Sequence, residues 1–284
     1  MKPKALRAAK PCQGFTLVEL VIVITLTGVV GVLASTIVGH QMEGYIDTTR
    51  RAEMIARANM AMQLIARDLR YAVPFSVRIN GSAIEWVPIE GFGRYRKLPT
   101  AGAGDILDFS TTDNAFDVFG PMPGVLSSHR VVVGNSAIAA SGFNLYQSAS
   151  DGSVLPAGSH VITDSAVTPS INGSAIELSP AFQFSQDSVA SRFYLVDGPS
   201  SYVCSGGEIN RFESYALQST QPTNPSAAPL SSASSALLLD SVSSCSFGYT
   251  ATDEQHGLVT LQVELTESGE TVSLVRFVHV ENRP

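Results

Sequence analysis

The sequence predicts an α+β fold in which a long N-terminal helix packs on a β-rich globular head. Three observations carry that expectation. From Phe15 to Gly39 the chain is apolar over 25 residues with one charge, Glu19. From about His40 to Ala72 apolar residues recur at three- and four-residue steps, the period of an amphipathic helix. Beyond Pro74 the pattern changes to short alternating stretches separated by Gly, Asn, Ser and Pro, the signature of strands and turns. The chain thus divides into a leader (1–14), a membrane-length helix (15–39), an amphipathic helix (40–73) and the head (74–284).

The leader carries Lys2, Lys4, Arg7 and Lys10 and no acid, which holds it on the cytoplasmic side while the apolar run enters the bilayer. The bulk of the chain then lies outside. A helix of that run rises about 37 Å at 1.5 Å per residue, against roughly 30 Å of hydrocarbon. Glu19 is the anomaly, because an acid inside a membrane span costs roughly 2.5 to 3.5 kcal/mol on insertion scales and acquires a partner. An ordinary signal peptide cut after Val32-Leu33-Ala34 and an uncleaved anchor are the competing readings. Neither explains why an acid follows Gly14-Phe15-Thr16-Leu17-Val18.

The amphipathic segment places Ile55, Ala58, Met62, Ile65, Leu69 and Ala72 on one stripe, with Arg50, Arg57, Arg67 and Arg70 largely elsewhere. The stripe needs a core to cover. Glu53 and Arg57 stand four residues apart, a pair worth about 0.2–0.5 kcal/mol on an exposed helix face, and the arginines read as a solvated or subunit-facing surface. Pro74 stops the helix, since Val73 before it is pushed to extended geometry. One continuous helix from Phe15 to Ala72 would be roughly 87 Å long.

In the head, 75–79 and 82–87 flank Asn80-Gly81, a hairpin signal for a type I′ turn. Further strands are expected at 105–110, 129–133, 142–147, 159–163, 174–178, 191–196, 201–204 and 209–217. The C-terminal strands are 242–250, 257–266 and 271–281, the last two forming a hairpin at Ser268-Gly269. The heptapeptide Ile-Asn-Gly-Ser-Ala-Ile-Glu occurs at 79–85 and again at 171–177. It reads as one turn chemistry used twice. The Ser-, Pro- and Ala-rich stretch 218–236 reads as a loop that a Cys204–Cys245 bridge would fasten at its ends.

Of 284 residues only 15% are charged, and the net charge is −7. Removing the four leader cations leaves 14 basic against 25 acidic residues, near −11, which speaks against a nucleic-acid binder. Cys12 lies in the leader. That leaves Cys204 and Cys245 as an even pair, which an oxidising compartment should bond. The closed loop is worth about 4 kcal/mol by loop-closure entropy.

No catalytic set, metal site or cofactor motif emerges. The five histidines are scattered without metal-ligand spacing, and no nucleophile elbow or phosphate-cradling glycine loop is present. Asp105, Asp108, Asp113, Asn114 and Asp117 form the densest acidic group without EF-hand spacing, so a structural or solvated role is expected. Trp86, Phe92 and Tyr95 with the run Arg94-Tyr95-Arg96-Lys97 read as core packing and an exposed loop rather than a ligand surface.

The string Gly14-Phe15-Thr16-Leu17-Val18-Glu19-Leu20 resembles the processing site of type IV prepilins and pseudopilins. The resemblance implies cleavage between Gly14 and Phe15 by a prepilin peptidase, N-methylation of Phe15, and an assembly role for Glu19. A freed Phe15 amine at the same membrane depth would pair with Glu19 of a neighbouring subunit and set the stagger between them. Gly44-Tyr-Ile-Asp-Thr-Thr-Arg-Arg-Ala-Glu, Arg67-Asp-Leu-Arg-Tyr-Ala-Val-Pro, Gly93-Arg-Tyr-Arg, Tyr202-Val-Cys-Ser-Gly-Gly and the C-terminal Gly269-to-Pro284 segment look like one minor-pilin family, MshO of the MSHA type IV pilus. Thr36 stands where many major pilins have a helix proline, so the usual kink is not implied. The family implies a low-abundance, non-catalytic subunit at or near the filament tip. Its partners are other minor and major pilins and the inner-membrane assembly platform, and it resides in the inner membrane with the head in the periplasm before entering the extracellular pilus. A minor pseudopilin of a type II secretion system, and an anchored enzyme or lectin-like tip adhesin, are the alternatives.

Overall fold

The computed structural model describes residues 14–98, 104–137, 143–147, 160–251 and 256–282. The leader cations and Cys12 lie outside the described residues, as do the first residues of the strands expected at 142–147 and 159–163. The chain forms two compact units, Met1–Ala52 and Glu53–Pro284. One helix, α1 (Leu17–Arg70), supplies the described part of the first and the opening turns of the second. Its start is capped: the Glu19 amide donates to Thr16 Oγ1 at 3.2 Å, satisfying a donor with no partner inside the helix. Its end comes at Arg70, where Tyr71 and Ala72 amides turn back to the carbonyls of Asp68 and Leu69.

Among the described residues of the second unit fourteen strands follow: β1 (Arg78–Asn80), β2 (Ala83–Trp86), β3 (Gly91–Tyr95), β4 (Asp113–Phe119), β5 (Arg130–Val133), β6 (Thr168–Asn172), β7 (Ala175–Phe182), β8 (Arg192–Val196), β9 (Ser200–Ser205), β10 (Glu208–Glu213), β11 (Ser234–Leu239), β12 (Val242–Ala251), β13 (His256–Glu267) and β14 (Glu270–Glu281). They form three sheets, ordered β1-β2-β9-β10-β11, β12-β13-β14 and β5-β8-β3-β4-β7-β6. Every strand pairing is antiparallel. The architecture is therefore α+β, an apolar N-terminal helix with a β-rich head.

The helix face that enters the core is Met54, Ala58, Ala61, Met62, Ile65, Ala66 and Leu69. It packs with Ile84, Trp86 and Tyr202 of the five-stranded sheet and with Val259, Leu261, Val263 and Leu265 of β13. The expected stripe is thus correct from Ala58 onward and displaced at its start. Met54 is fully buried and Ile55 is 37% exposed, since Met54 lies four residues before Ala58, on the same face, whereas Ile55 is turned by about one further residue. Arg57 also departs from the expectation of a solvated side chain. Its guanidinium reaches Asp240 at 2.7 Å and Glu267 at 2.6 Å, clasping the helix to the β11–β12 connection and the β13–β14 hairpin.

The repeated heptapeptide builds the same hairpin twice, with Asn80 opposite Ala83 and Asn172 opposite Ala175. The two-residue loops are therefore Gly81-Ser82 and Gly173-Ser174, and the positive φ falls on Gly81 (60°) and Gly173 (62°). Glycine at the first central position, with serine at the second outside the positive-φ set, is the type II′ pattern, which corrects the expected type I′.

Two expected strands do not form. Over 105–110 the side chains of Asp113 and Asp108 take the amides of Asp108 and Ser110, so the backbone donors are spent locally and the ladder moves to β4. Among the described residues of 142–147, Asn135 and Asn144 take the amides of Leu145 and Tyr146 and turn the chain. The expected 159–163 strand reduces to a bridge between Ile162 and Val132. Conversely β3, β4, β6 and β11 were not expected; β11 begins at Ser234, inside the stretch read as a loop.

A buried ion pair organises the sheet edge. Glu85 is fully buried and receives Arg78 Nε at 2.5 Å and the Tyr215 hydroxyl at 3.1 Å. Arg78 also donates to the carbonyls of Gln218 and Ser219, both at 2.8 Å, and lies 3.6 Å over the Tyr146 ring. Burial outweighs the opposing Arg78 charge and the hydrogen bonds, and holds the Glu85 carboxyl above its ordinary value of 4.5.

Replacing Ile65 by Ala is expected to cost about 2–5 kcal/mol of head stability in chemical denaturation of the detergent-solubilised chain. Ile55→Ala should stay within about 0.5 kcal/mol, the pair testing which face is buried. For Glu85 the folded state binds its proton more tightly than the unfolded state, so its contribution is full below pH 4.5 and is lost as pH rises above it through the raised folded-state value. Glu85→Gln should remove that decline, measured as the difference in denaturation midpoint between variant and parent across pH 4 to 8.

Candidate functional site

In the first unit, Leu17–Ile37 is a 21-residue helical segment long and apolar enough to cross a membrane. Its apolar side chains are exposed along its length, from Leu17 to Ile37. Two hydroxyls within it are satisfied by the helix itself: Thr25 donates to the carbonyls of Val21 and Ile22, and Thr36 to that of Leu33. Glu19 has no such internal solution. Among the described residues no cation lies within ion-pair distance of its carboxylate. Gly14, Phe15 and Thr16 precede the helix, so the expected cleavage point between Gly14 and Phe15 stands on non-helical backbone three residues before Leu17.

Thr16 is a functional residue that the motif reading passed over. Thr16-Leu17-Val18-Glu19 has the spacing of a capping box, serine or threonine followed three positions later by Glu, and that signal was available in the sequence. Glu19 therefore has two roles by position: a carboxylate in the first helical turn, where the helix dipole favours negative charge, and an acid at the start of an apolar span with no cation beside it among the described residues.

Cys204 on β9 and Cys245 on β12 form a disulfide with Cα atoms 6.5 Å apart. It joins the five-stranded sheet to the three-stranded sheet beside the core that the helix covers. The expectation placed it as a fastener of the 218–236 loop. The bonded residues instead sit within two strands of different sheets, and that stretch is anchored separately by Gln221 donating to the Ala83 carbonyl at 3.0 Å.

The acidic group resolves into structural contacts. Asp117 accepts from Arg96, the Asp105 amide and Ser174, and Asp113 and Asp108 serve the backbone turn described above. Among the described residues no group of three His, Cys, Asp or Glu is placed to hold a metal ion. Trp86 and Tyr95 are buried in separate cores, Trp86 stacked on Tyr202 at 5.1 Å. Phe92 and Arg94 lie on β3, a strand rather than the expected loop, and both are exposed.

Residues 9–35 match the prokaryotic N-terminal methylation motif. No curated protein and no solved structure matches the chain. The matched motif spans the processing segment and most of the exposed apolar helix, and it supports a type IV pilin-like or pseudopilin precursor, with membrane anchoring through that helix.

Cys245→Ser is expected to lower head stability by about 2–4 kcal/mol, and reduction of the parent protein should reproduce the loss. Thermal melts with and without reductant check it; equal melting temperatures would show that the bridge constrains nothing.

Proposed function

We propose that this chain is a minor pilin of a type IV pilus, of the MSHA type and most similar to MshO. It is a non-catalytic structural subunit that primes assembly and sits at or near the tip. A prepilin peptidase cuts between Gly14 and Phe15 and the new Phe15 terminus is methylated. The subunit waits in the bacterial inner membrane with its head in the periplasm, meets the assembly platform and the other minor and major pilins, and leaves with the extracellular filament. The observation that carries this reading is the methylation motif over 9–35, with Glu19 as the one acid in an otherwise apolar, membrane-length helix face.

Each part of that segment has a task. The non-helical Gly14–Thr16 stretch gives a peptidase access to the backbone, which a helix would hide in its own hydrogen bonds. The apolar run that anchors the precursor becomes, in a filament, the surface that neighbouring helices cover. Glu19 selects the neighbour's position, because its cost in an apolar setting falls only when a cation such as the Phe15 amine arrives. The MSHA assignment rests on dispersed segments of the helix and the head, from Gly44, Arg67, Gly93, Tyr202 and Gly269 onward. Because the methylation motif is common to pilins and pseudopilins, a minor pseudopilin of a type II secretion system is the second reading. Deletion separates them: loss of pili supports the first, loss of protein secretion the second.

Intact mass should give a mature chain starting at a methylated Phe15, and Gly14→Leu should leave the full-length precursor in the membrane. A start at Ser35 would overturn the precursor reading. Glu19→Ala should insert and be processed normally yet fail to support piliation when it replaces the native copy. Normal pilus counts with processed Glu19→Ala would overturn the assembly role of that carboxylate.

A further inference from the structure

The six-stranded sheet of the head is covered unevenly. One face is buried from β5 through β7, by Phe116, Val118, Ile176, Phe193 and their neighbours. The opposite face is covered over β5 and β8, where Val132, Tyr194 and Val196 pack with Leu145 and Ile162. At Phe92 and Arg94 of β3 and at Phe119 of β4 the same face is bare. There Phe92 and Phe119 are each 70% exposed, and Arg94 stands exposed between them. Gly93, between Phe92 and Arg94, leaves room on the buried face for the Phe193 ring of β8: a Cβ there would meet that ring at 2.6 Å.

On this face two arginines meet with no carboxylate between them, Arg94 exposed and Arg192 half-buried and hydrogen-bonded to the Tyr194 hydroxyl. Arg94 and Arg192 are direct cross-strand partners on β3 and β8, and Arg94 faces Phe119 on its other side. Like charges directly opposite one another oppose strand pairing. Among the described residues neither guanidinium has a carboxylate within ion-pair distance, and neither has that of Arg70, which lines the same groove. The groove encloses about 610 Å³ and has a single lining carboxylate, Glu281, against three arginines. This excess of positive charge sits on a chain whose net charge is −7.

We propose that this face is a docking surface for another protein, which inserts an acidic side chain flanked by apolar residues between Phe92 and Phe119, its carboxylate bridging Arg94 and Arg192. Three features select that occupant. Arginine forks bind carboxylates bidentately, so one acid relieves the repulsion of the facing pair. Exposed phenylalanines beside arginines have the composition of protein interface centres, whereas a small-ligand pocket would enclose its aromatic walls instead of leaving them 70% exposed. β3 is hydrogen-bonded on both edges, so the surface offers side chains and no free strand edge, and the partner is read by its own side chains. A second copy of this acidic chain is not selected by anything on this face.

The inference needs only that the head meets another protein, so it is separable from the pilin reading. The test places p-benzoylphenylalanine in place of Phe119 in the full chain, expressed in its native host, with irradiation of intact cells and mass spectrometry of the adduct. The expected adduct is a different protein cross-linked within a few residues of an Asp or Glu. Arg94→Glu with Arg192→Glu should lower its yield at least tenfold, Arg94→Gln with Arg192→Gln should lower it less, and reversing the mapped acid to Arg should restore it in the Glu variants. An unchanged melting temperature shows that the variants fold. No adduct, an adduct on a saccharide, lipid or second copy, or a yield indifferent to charge reversal overturns the proposal. Processing after Gly14, read by mass from the same cells, reports separately on the precursor reading: correctly processed chain without an adduct sinks this surface alone.

Discussion

The head depends on one ion pair with no access to solvent on its acidic side, Arg78 with Glu85. A buried pair of this kind contributes little net stability relative to apolar residues of the same size, but removal of either partner strands a charge at a cost of about 3–5 kcal/mol. The constraint is geometric. A single guanidinium closes the β1–β2 ladder through Glu85, holds the segment after β10 through the carbonyls of Gln218 and Ser219, and fixes Tyr146 beneath its plane. The Tyr146 hydroxyl in turn donates to the Ser76 carbonyl at 2.7 Å, returning to the segment that leads into β1. Loops that would otherwise move independently are held in one register.

That register sets the surface on which α1 lies. Ala83 and Glu85 face the small cluster around Val203, Phe212 and Tyr215, while Ile84 and Trp86 of the same strand face the helix. Slipping β2 by one residue would exchange these sets and put a carboxylate under the helix. Two long-range links then hold the helix-covered core together: the disulfide between β9 and β12, and the Arg57 clasp to Asp240 and Glu267. Asp68 adds a third, accepting the Tyr202 hydroxyl at 2.8 Å.

The processing segment follows the opposite logic. Nothing in the described first unit buries its apolar side chains or pairs its acid, so its energetics are completed only by lipid or by other subunits. The same holds in lesser degree for the β3–β4 face of the head, where facing arginines and exposed phenylalanines are left without cover. Both incomplete places point outward from the fold.

The sequence by itself determined whatever rests on local chemistry. The processing motif, the membrane-length helix, the C-terminal hairpin, the repeated Asn-Gly-Ser turn and the cysteine pair were all legible, because each depends on a few adjacent residues or on simple parity. Thr16 as a helix cap was legible too, through its spacing to Glu19, although the motif reading passed over it. Tertiary structure alone decided where Arg57 points, since its partners lie 183 and 210 residues away and outcompete Glu53 one turn before it. It also decided that Met54, not Ile55, faces the core, a rotation of one residue that periodicity cannot resolve. The loss of strands at 105–110 and 142–147 was settled by Asp and Asn side chains that captured backbone donors, a competition whose outcome depends on the neighbouring ladder. The bare face of β3 was hidden for the same reason: Gly91-Phe92-Gly93-Arg94 looks like a loop until Phe193 packs against Gly93 and Arg192 is brought opposite Arg94.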